Sequence, residues 1–210
     1  MYIQHQGHSC FRFSDKDSSI IVDPFSKETG LRTPKIKDDM VLVSHGHFDH
    51  SNLEDVSEET VIINGPGEYE MKGIYIKGIP SYHDNSKGSE RGLNTIYIVQ
   101  MDGVSLCHMG DFGQDKLEEE QLEKIGDVDV LMIPVGGKYT IDGKQAVQIS
   151  SQIEPKIIIP MHYKVSDLKI DIDGPEKFLK EVGLTPEKTD KLRVSQKTLP
   201  QEEIQLFMFT

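Results

Sequence analysis

"VLVSHGHFDHSNLED", residues 41–55, decides how this chain is read, because it sets His45, His47, Asp49 and His50 within six positions of one another. The chain has eight histidines in all, so three of them fall in one short loop with a carboxylate between. The loop follows the apolar run "MVLVS", which reads as a buried strand. The cluster therefore lies where a strand leaves the core, the end at which functional groups gather in α/β sheets. In extended chain, residues two apart point the same way, so His45 and His47 can grip one ion together. Asp49 and His50 are offset from that pair and face a second position, just ahead of an expected helix cap at Ser51 or Asn52. Imidazole nitrogen with carboxylate oxygen suits zinc and its first-row neighbours. A surface loop that collects histidines by accident is the bland reading. It serves for one histidine and fails for this spacing.

Outward from the cluster, four more apolar runs end on a polar group. Asp23 closes "IIVDP", His83 closes "IKGIPSYH", Asp111 closes "VSLCHMGD" and His162 closes "IIIPMH". Any one of these is an ordinary loop residue; four strand ends that each deliver a donor suggest one shared site. The early chain reads as strands: a hairpin in "SCFRFSDKDSSIIVDPF", then "VIING", "YEMKGIYIKGIP", "LNTIYIVQ" and "VSLCHMGD". Residues 26–39 read as a loop. The later chain alternates helices over 113–126, 142–154 and 174–183 with strands "VDVLMIPVGG", "PKIIIPMHY" and "EEIQLFMF". Strands early and βαβα later point to an α/β fold of two mixed sheets packed face to face with helices outside. With no Pro/Ser linker or short-period repeat, residues 1–210 read as a single domain.

The 210 residues are enough to bury a sizeable core, and 36% hydrophobic with 28% charged residues reads as globular. A net charge of −12 disfavours nonspecific nucleic-acid binding, yet leaves room for a small anionic substrate, because a local cation overrules the average field. Cys10 and Cys107 both lie in apolar runs and read as small buried residues, consistent with a reducing compartment. "MYIQHQGHSC" has no basic n-region or apolar h-region, and no apolar run is long enough to span a bilayer. The expectation is a cytoplasmic protein of unspecified oligomeric state.

"SHGHFDH" carries the HxHxDH signature, and on it the chain resembles the metallo-β-lactamase superfamily of αββα hydrolases; "IIVDP", "HMGD" and "IPMH" resemble further motifs of that superfamily. "GHSCF", "RGLNTIYIV" and "IPVGGKYTIDGKQA" are similar to its small stand-alone branch related to the ascorbate-phosphate lactonases. The resemblance implies a four-layer αββα sandwich. It also implies that His45, His47 and His83 hold one metal, that Asp49, His50 and His162 hold a second, and that Asp111 bridges the two. Asp23 would orient a ligand histidine. The third motif departs from many relatives: "SYHDNSKG" replaces a His-Pro-Gly-His pattern, which leaves His108 as a rival to His83. Asp49 and His8 are the candidate catalytic groups, although His8 reads equally well as a hydrogen-bonded strand-end histidine.

Two divalent ions, with zinc ahead of manganese or iron, would supply a hydroxide nucleophile. The implied reaction is hydrolysis of a small ester, lactone or phosphoester. A phosphodiesterase or nuclease on the same site is the alternative, and a di-iron redox protein the third class. Lys87 and Arg91 offer a phosphate or carboxylate a partner and read equally well as solvated loop charge. Tyr139 or Thr140 is expected at a pocket rim, with Asp142 as a helix cap.

Overall fold

The computed structural model describes residues 1–54 and 56–210. A meander of β1 (Tyr2–Gly7), β2 (Cys10–Ser14) and β3 (Ser19–Val22) precedes β4 (Met40–Leu42) and β5 (Val61–Ile63). A second meander, β6 (Gly67–Met71), β7 (Ile74–Tyr82), β8 (Leu93–Met101) and β9 (Val104–His108), leads into α1 (Glu119–Ile125), β10 (Val130–Pro134), α2 (Gly143–Ile153), β11 (Ile157–Met161) and α3 (Glu176–Val182). The chain closes with β12 (Glu187–Thr189), β13 (Leu192–Arg193) and β14 (Gln205–Phe209).

These strands form two mixed sheets, one of six strands in the order β13-β1-β2-β3-β4-β5 and one of eight in the order β12-β14-β11-β10-β9-β8-β7-β6. The meanders pair antiparallel, whereas β3, β4 and β5 pair parallel, as do β9, β10, β11, β14 and β12. Side-chain alternation sorts each strand between faces. Ile20, Val22, Met40 and Leu42 join the main core between the sheets, whereas Ile21 and Val41 face outward with Cys10. A register slip of one residue would exchange those sets.

The αββα class holds, with one layer built differently from the expectation. Among the described residues the three α-helices all serve the eight-stranded sheet: α1 packs on β7, α2 on β10, and α3 on α2. Over the outward residues of the six-stranded sheet lie Leu31, Ile36, Leu53 and Val56, contributed by irregular chain. The helix expected after the histidine cluster does not form over residues 51–54. The Ser51 hydroxyl and the Asn52 amide donate to the carbonyls of His47 and Phe25, and Asn52 Oδ1 accepts the Glu54 N–H without a helix following. That anchorage fixes the cluster from behind.

The sheets are tied together at the end where the site lies. Tyr97 of β8 donates its hydroxyl proton to the carbonyls of Val43 and Ile63, at 2.9 and 3.2 Å. The Thr95 N–H donates to Ser44 O, and the His162 N–H to His8 O. Among the described residues no helix is long and apolar enough to cross a membrane.

Candidate metal centre

The cluster leaves β4 as a tight loop, and the other donors arrive from four separate segments. His8 lies in the β1–β2 turn, His83 follows β7, Asp111 follows β9 and His162 follows β11. Their donor atoms gather in three overlapping groups: His45, His47 and His83; His45, His50 and Asp111; and His8, Asp49, His50 and His162. Within each group all donor atoms lie within 4.8 Å of one another. Asp111 is central, its Oδ2 lying 3.3 Å from Nε2 of His83, 3.3 Å from Nε2 of His162 and 3.8 Å from Nε2 of His45. Every residue expected at the site is thus brought to it, and His8 joins the Asp49 side. His108 stays out. Its Nε2 donates to Ser9 O at 2.8 Å and its Nδ1 accepts from the Gly110 N–H, so neither nitrogen is free.

The hydrogen bonds behind the centre decide which nitrogen of each ring faces it. Asp23 accepts from His50 Nδ1 at 2.9 Å, from the Ser44 hydroxyl at 2.7 Å and from the Ser44 N–H at 2.7 Å. Ser44 has a single hydroxyl proton, already given to Asp23, so its Oγ accepts from His45 Nδ1 at 2.9 Å. Both His45 and His50 therefore turn Nε2 toward Asp111. His8 donates its Nε2–H to Asp49 Oδ2 at 3.1 Å, orienting that carboxylate. Asn94 accepts the Asp111 N–H and donates to Met109 O, locking the turn that carries Asp111. Nothing in the sequence marks Ser44 except its place before His45.

Local backbone is strained in the same places. His8, Asp23 and His162 have φ of 54°, 49° and 52°, a left-handed conformation that side chains disfavour. Asp23 does so although Pro24 follows it. Gly110, with φ of 57°, passes so close to Asn94 Oδ1 that a Cβ there would lie 2.3 Å away. Such strain persists where the surroundings over-determine it, and functional centres collect it.

The donor set fits divalent cations. His45 Nε2, His50 Nε2 and Asp111 Oδ1 are buried without a hydrogen-bond partner among the described residues, and the last two lie only 3.1 Å apart. Buried polar atoms rarely go unpaired, so a group of them aimed at one point calls for a ligand. Asp23, Asp49 and Asp111 also crowd three buried carboxylates together, which demands positive charge. Burial tends to raise Asp111 and Asp49, but the rings of His162 and His50 around the first, and of His50 and His8 around the second, hold both below the usual carboxylate range. Burial likewise pushes His50 down, and Asp111, Asp49 and Asp23 together overcome it and hold that ring well above its ordinary value. Burial pushes His45 down to about 3 and His8 down to about 4, so both rings are neutral at ordinary pH.

Above the centre opens a cavity of about 650 Å³. Its floor carries His47, Asp49, His83, Asp111 and His162; its walls carry Phe48, Arg91, Tyr139, Lys169, Ile170 and Asp171, with Glu28 at the edge. Tyr139 lines it as expected. Lys87 does not, and belongs to a separate surface depression.

A mixed two-sheet sandwich with a His/Asp cluster across the ends of its strands defines a metallo-β-lactamase-like domain. The chain belongs to that superfamily: residues 2–162 match the family described as "Beta-lactamase superfamily domain". Among its relatives, a UPF0173 metal-dependent hydrolase of Thermoplasma acidophilum is 32% identical over 197 residues, covering 82% of this chain and 86% of that protein. Another, of Pyrococcus horikoshii, is 30% identical, covering 86% of this chain and 92% of that protein. A crystal structure from Thermotoga maritima, described as a candidate Zn-dependent hydrolase of the metallo-β-lactamase superfamily, superposes with a TM-score of 0.78 at 31% identity. It covers 99% of this chain and 97% of its own.

Proposed function

We propose that the chain is a metal-dependent hydrolase that cleaves a small ester, lactone or phosphoester at a dinuclear centre. The observation that carries this reading is the convergence of unpartnered His45 Nε2, His50 Nε2 and Asp111 Oδ1 beneath an open cavity. His45, His47 and His83 would hold one divalent ion, and Asp49, His50 and His162 the other, with Asp111 between them. Zinc is the ion best suited to this mix of imidazole and carboxylate donors. When bound, the two ions supply Lewis acidity that brings the ionisation of a water toward neutral pH.

The protein's own groups do the rest. Asp49, deprotonated and fixed by His8, offers a carboxylate oxygen as the hydrogen-bond acceptor that would orient a water at the floor of the cavity. Asp23 and Ser44 keep the lone pairs of His50 and His45 turned inward. Phe48 and Ile170 present apolar surface beside the polar floor, favouring a small organic substrate over a charged polymer. The net charge of −12 points the same way. Cys10 and Cys107, free and buried, suit the reducing conditions of a cytoplasm.

Metal analysis of the purified protein and of His47→Ala, alongside a screen of lactone, ester and phosphodiester substrates, tests the proposal. About two metals per chain and turnover of a small ester are expected, with a sharp loss of turnover in the variant. Phosphodiester turnover alone, rising with strand length, would move the assignment to a nuclease. Metal-free protein with no hydrolysis would sink it.

A further inference from the structure

The cavity carries two cationic side chains that the hydrolytic chemistry leaves unused, Arg91 and Lys169. Arg91 is two-thirds buried, with its side chain 34% exposed, and its guanidinium lies 5.7 Å from the Tyr139 ring centroid. Its ion-pair contact is a loose 3.7 Å to Glu90, itself 59% exposed, and among the described residues its guanidinium donates no hydrogen bond. A planar fork of five N–H donors, held over a cavity and left unspent, is built to receive an oxyanion. Of the two acidic groups at the walls, Asp171 is occupied by Lys138 at 2.8 Å, and Glu28 is exposed at the edge.

Arg91 does not reach the cavity on a loose loop. The buried Asp84 carboxylate accepts four backbone N–H groups: Ser86 at 2.7 Å and Gly88 at 2.8 Å on Oδ1, Glu90 at 3.0 Å and Arg91 at 2.8 Å on Oδ2. One side chain thus gathers residues 84–91 into a fixed turn and sets the Arg91 backbone directly. The backbone that carries the arginine is thus ordered before any ligand arrives, which favours binding.

We infer that Arg91, positioned by Asp84 and assisted by Lys169, forms an oxyanion subsite, so that the substrate carries a carboxylate or phosphate away from its scissile bond. The apolar part of that substrate lies along Phe48, Tyr139 and Ile170. The inference rests on the hydrolase reading of the same cavity, and its test separates the two.

The first arm measures kcat/KM for phenyl acetate and its 4-carboxy and 4-phosphonomethyl derivatives. The native enzyme is expected to favour one charged ester by about tenfold or more, chiefly through KM, and the larger advantage names the anion. Arg91→Gln is expected to abolish the advantage, so that charged and neutral esters give similar kcat/KM in the variant, and Arg91→Lys to restore part of it. The second arm needs no catalysis: naphthalene-1-sulfonate, a weak metal ligand, and neutral 1-naphthalenemethanol are titrated into native and Arg91→Gln protein. The sulfonate is expected to bind the variant about tenfold less tightly and the alcohol equally. Equal sulfonate binding to both proteins, or no preference for a charged ester in an active native enzyme, overturns the subsite. Absence of hydrolysis with Arg91-dependent sulfonate binding upholds the subsite and removes the hydrolase.

Discussion

Removing the hydroxyl of Ser44 deletes the link through which Asp23 sets the His45 ring. Ser44→Ala leaves His45 Nδ1 without its acceptor, so the ring can flip or change tautomer and its Nε2 lone pair is no longer committed to the centre. Zinc affinity, measured by chelator competition, is expected to fall about 10- to 100-fold, with the far-UV spectrum unchanged. An unaltered affinity would mean that Ser44 is a bystander. Residues of this kind separate what the chain's text reveals from what it hides. His45, His47, Asp49 and His50 announce themselves because their spacing has chemical meaning; Ser44 carries no such signature, since serine before histidine is common. Geometry also separates His83 from His108: His83 stands among the gathered donors and His108 does not. His108 is spent on Ser9 and Gly110, two partners 99 and 2 residues away. Only the fold brings the first of them near.

Among the elements, α2 shows how a local signal survives into structure. Asp142 accepts the amides of Lys144 and Gln145, Gln145 returns a bond to the Asp142 N–H, and Ala146, Ile149 and Ile153 turn inward at helical spacing. Asp142→Ala is expected to cost about 1 kcal/mol in urea denaturation, with the m-value unchanged. Burial raises the Asp142 carboxyl, but Lys177 and those amides outweigh it and hold the group below its ordinary value. The cap therefore contributes fully above about pH 4 and fades as pH falls through the lowered pKa, so the gap between native and variant closes in acid. Other elements were illegible for physical reasons. β12 and β13, with three and two residues, show no alternation and exist through their partners. β1 is mostly half-buried, and the polar "QHQ" within it masks the pattern. α1 begins at Glu119 rather than near Gly113, because Gly113 is pressed against the His83 backbone, where a Cβ would lie 2.4 Å from its carbonyl carbon.

For the molecule as a whole, a centre shared between two sheets couples cation binding to stability. Native chain binds ions that the unfolded chain holds weakly, so saturation at 100 times Kd adds about 2.7 kcal/mol. For a chain of this length that corresponds to roughly 5–11 °C in the melting midpoint. Zinc added to chelator-treated protein is expected to raise Tm by several degrees, and far less in His50→Ala; a midpoint indifferent to zinc would contradict the coupling. The donors begin at position 8 and end at position 162, beyond the second meander and two helices. A chain growing on the ribosome therefore carries its first four histidine-loop donors long before the strand that completes their surroundings exists. The full donor set is assembled only when β11 docks and delivers His162, so capture of a cation by the whole group waits on that late strand.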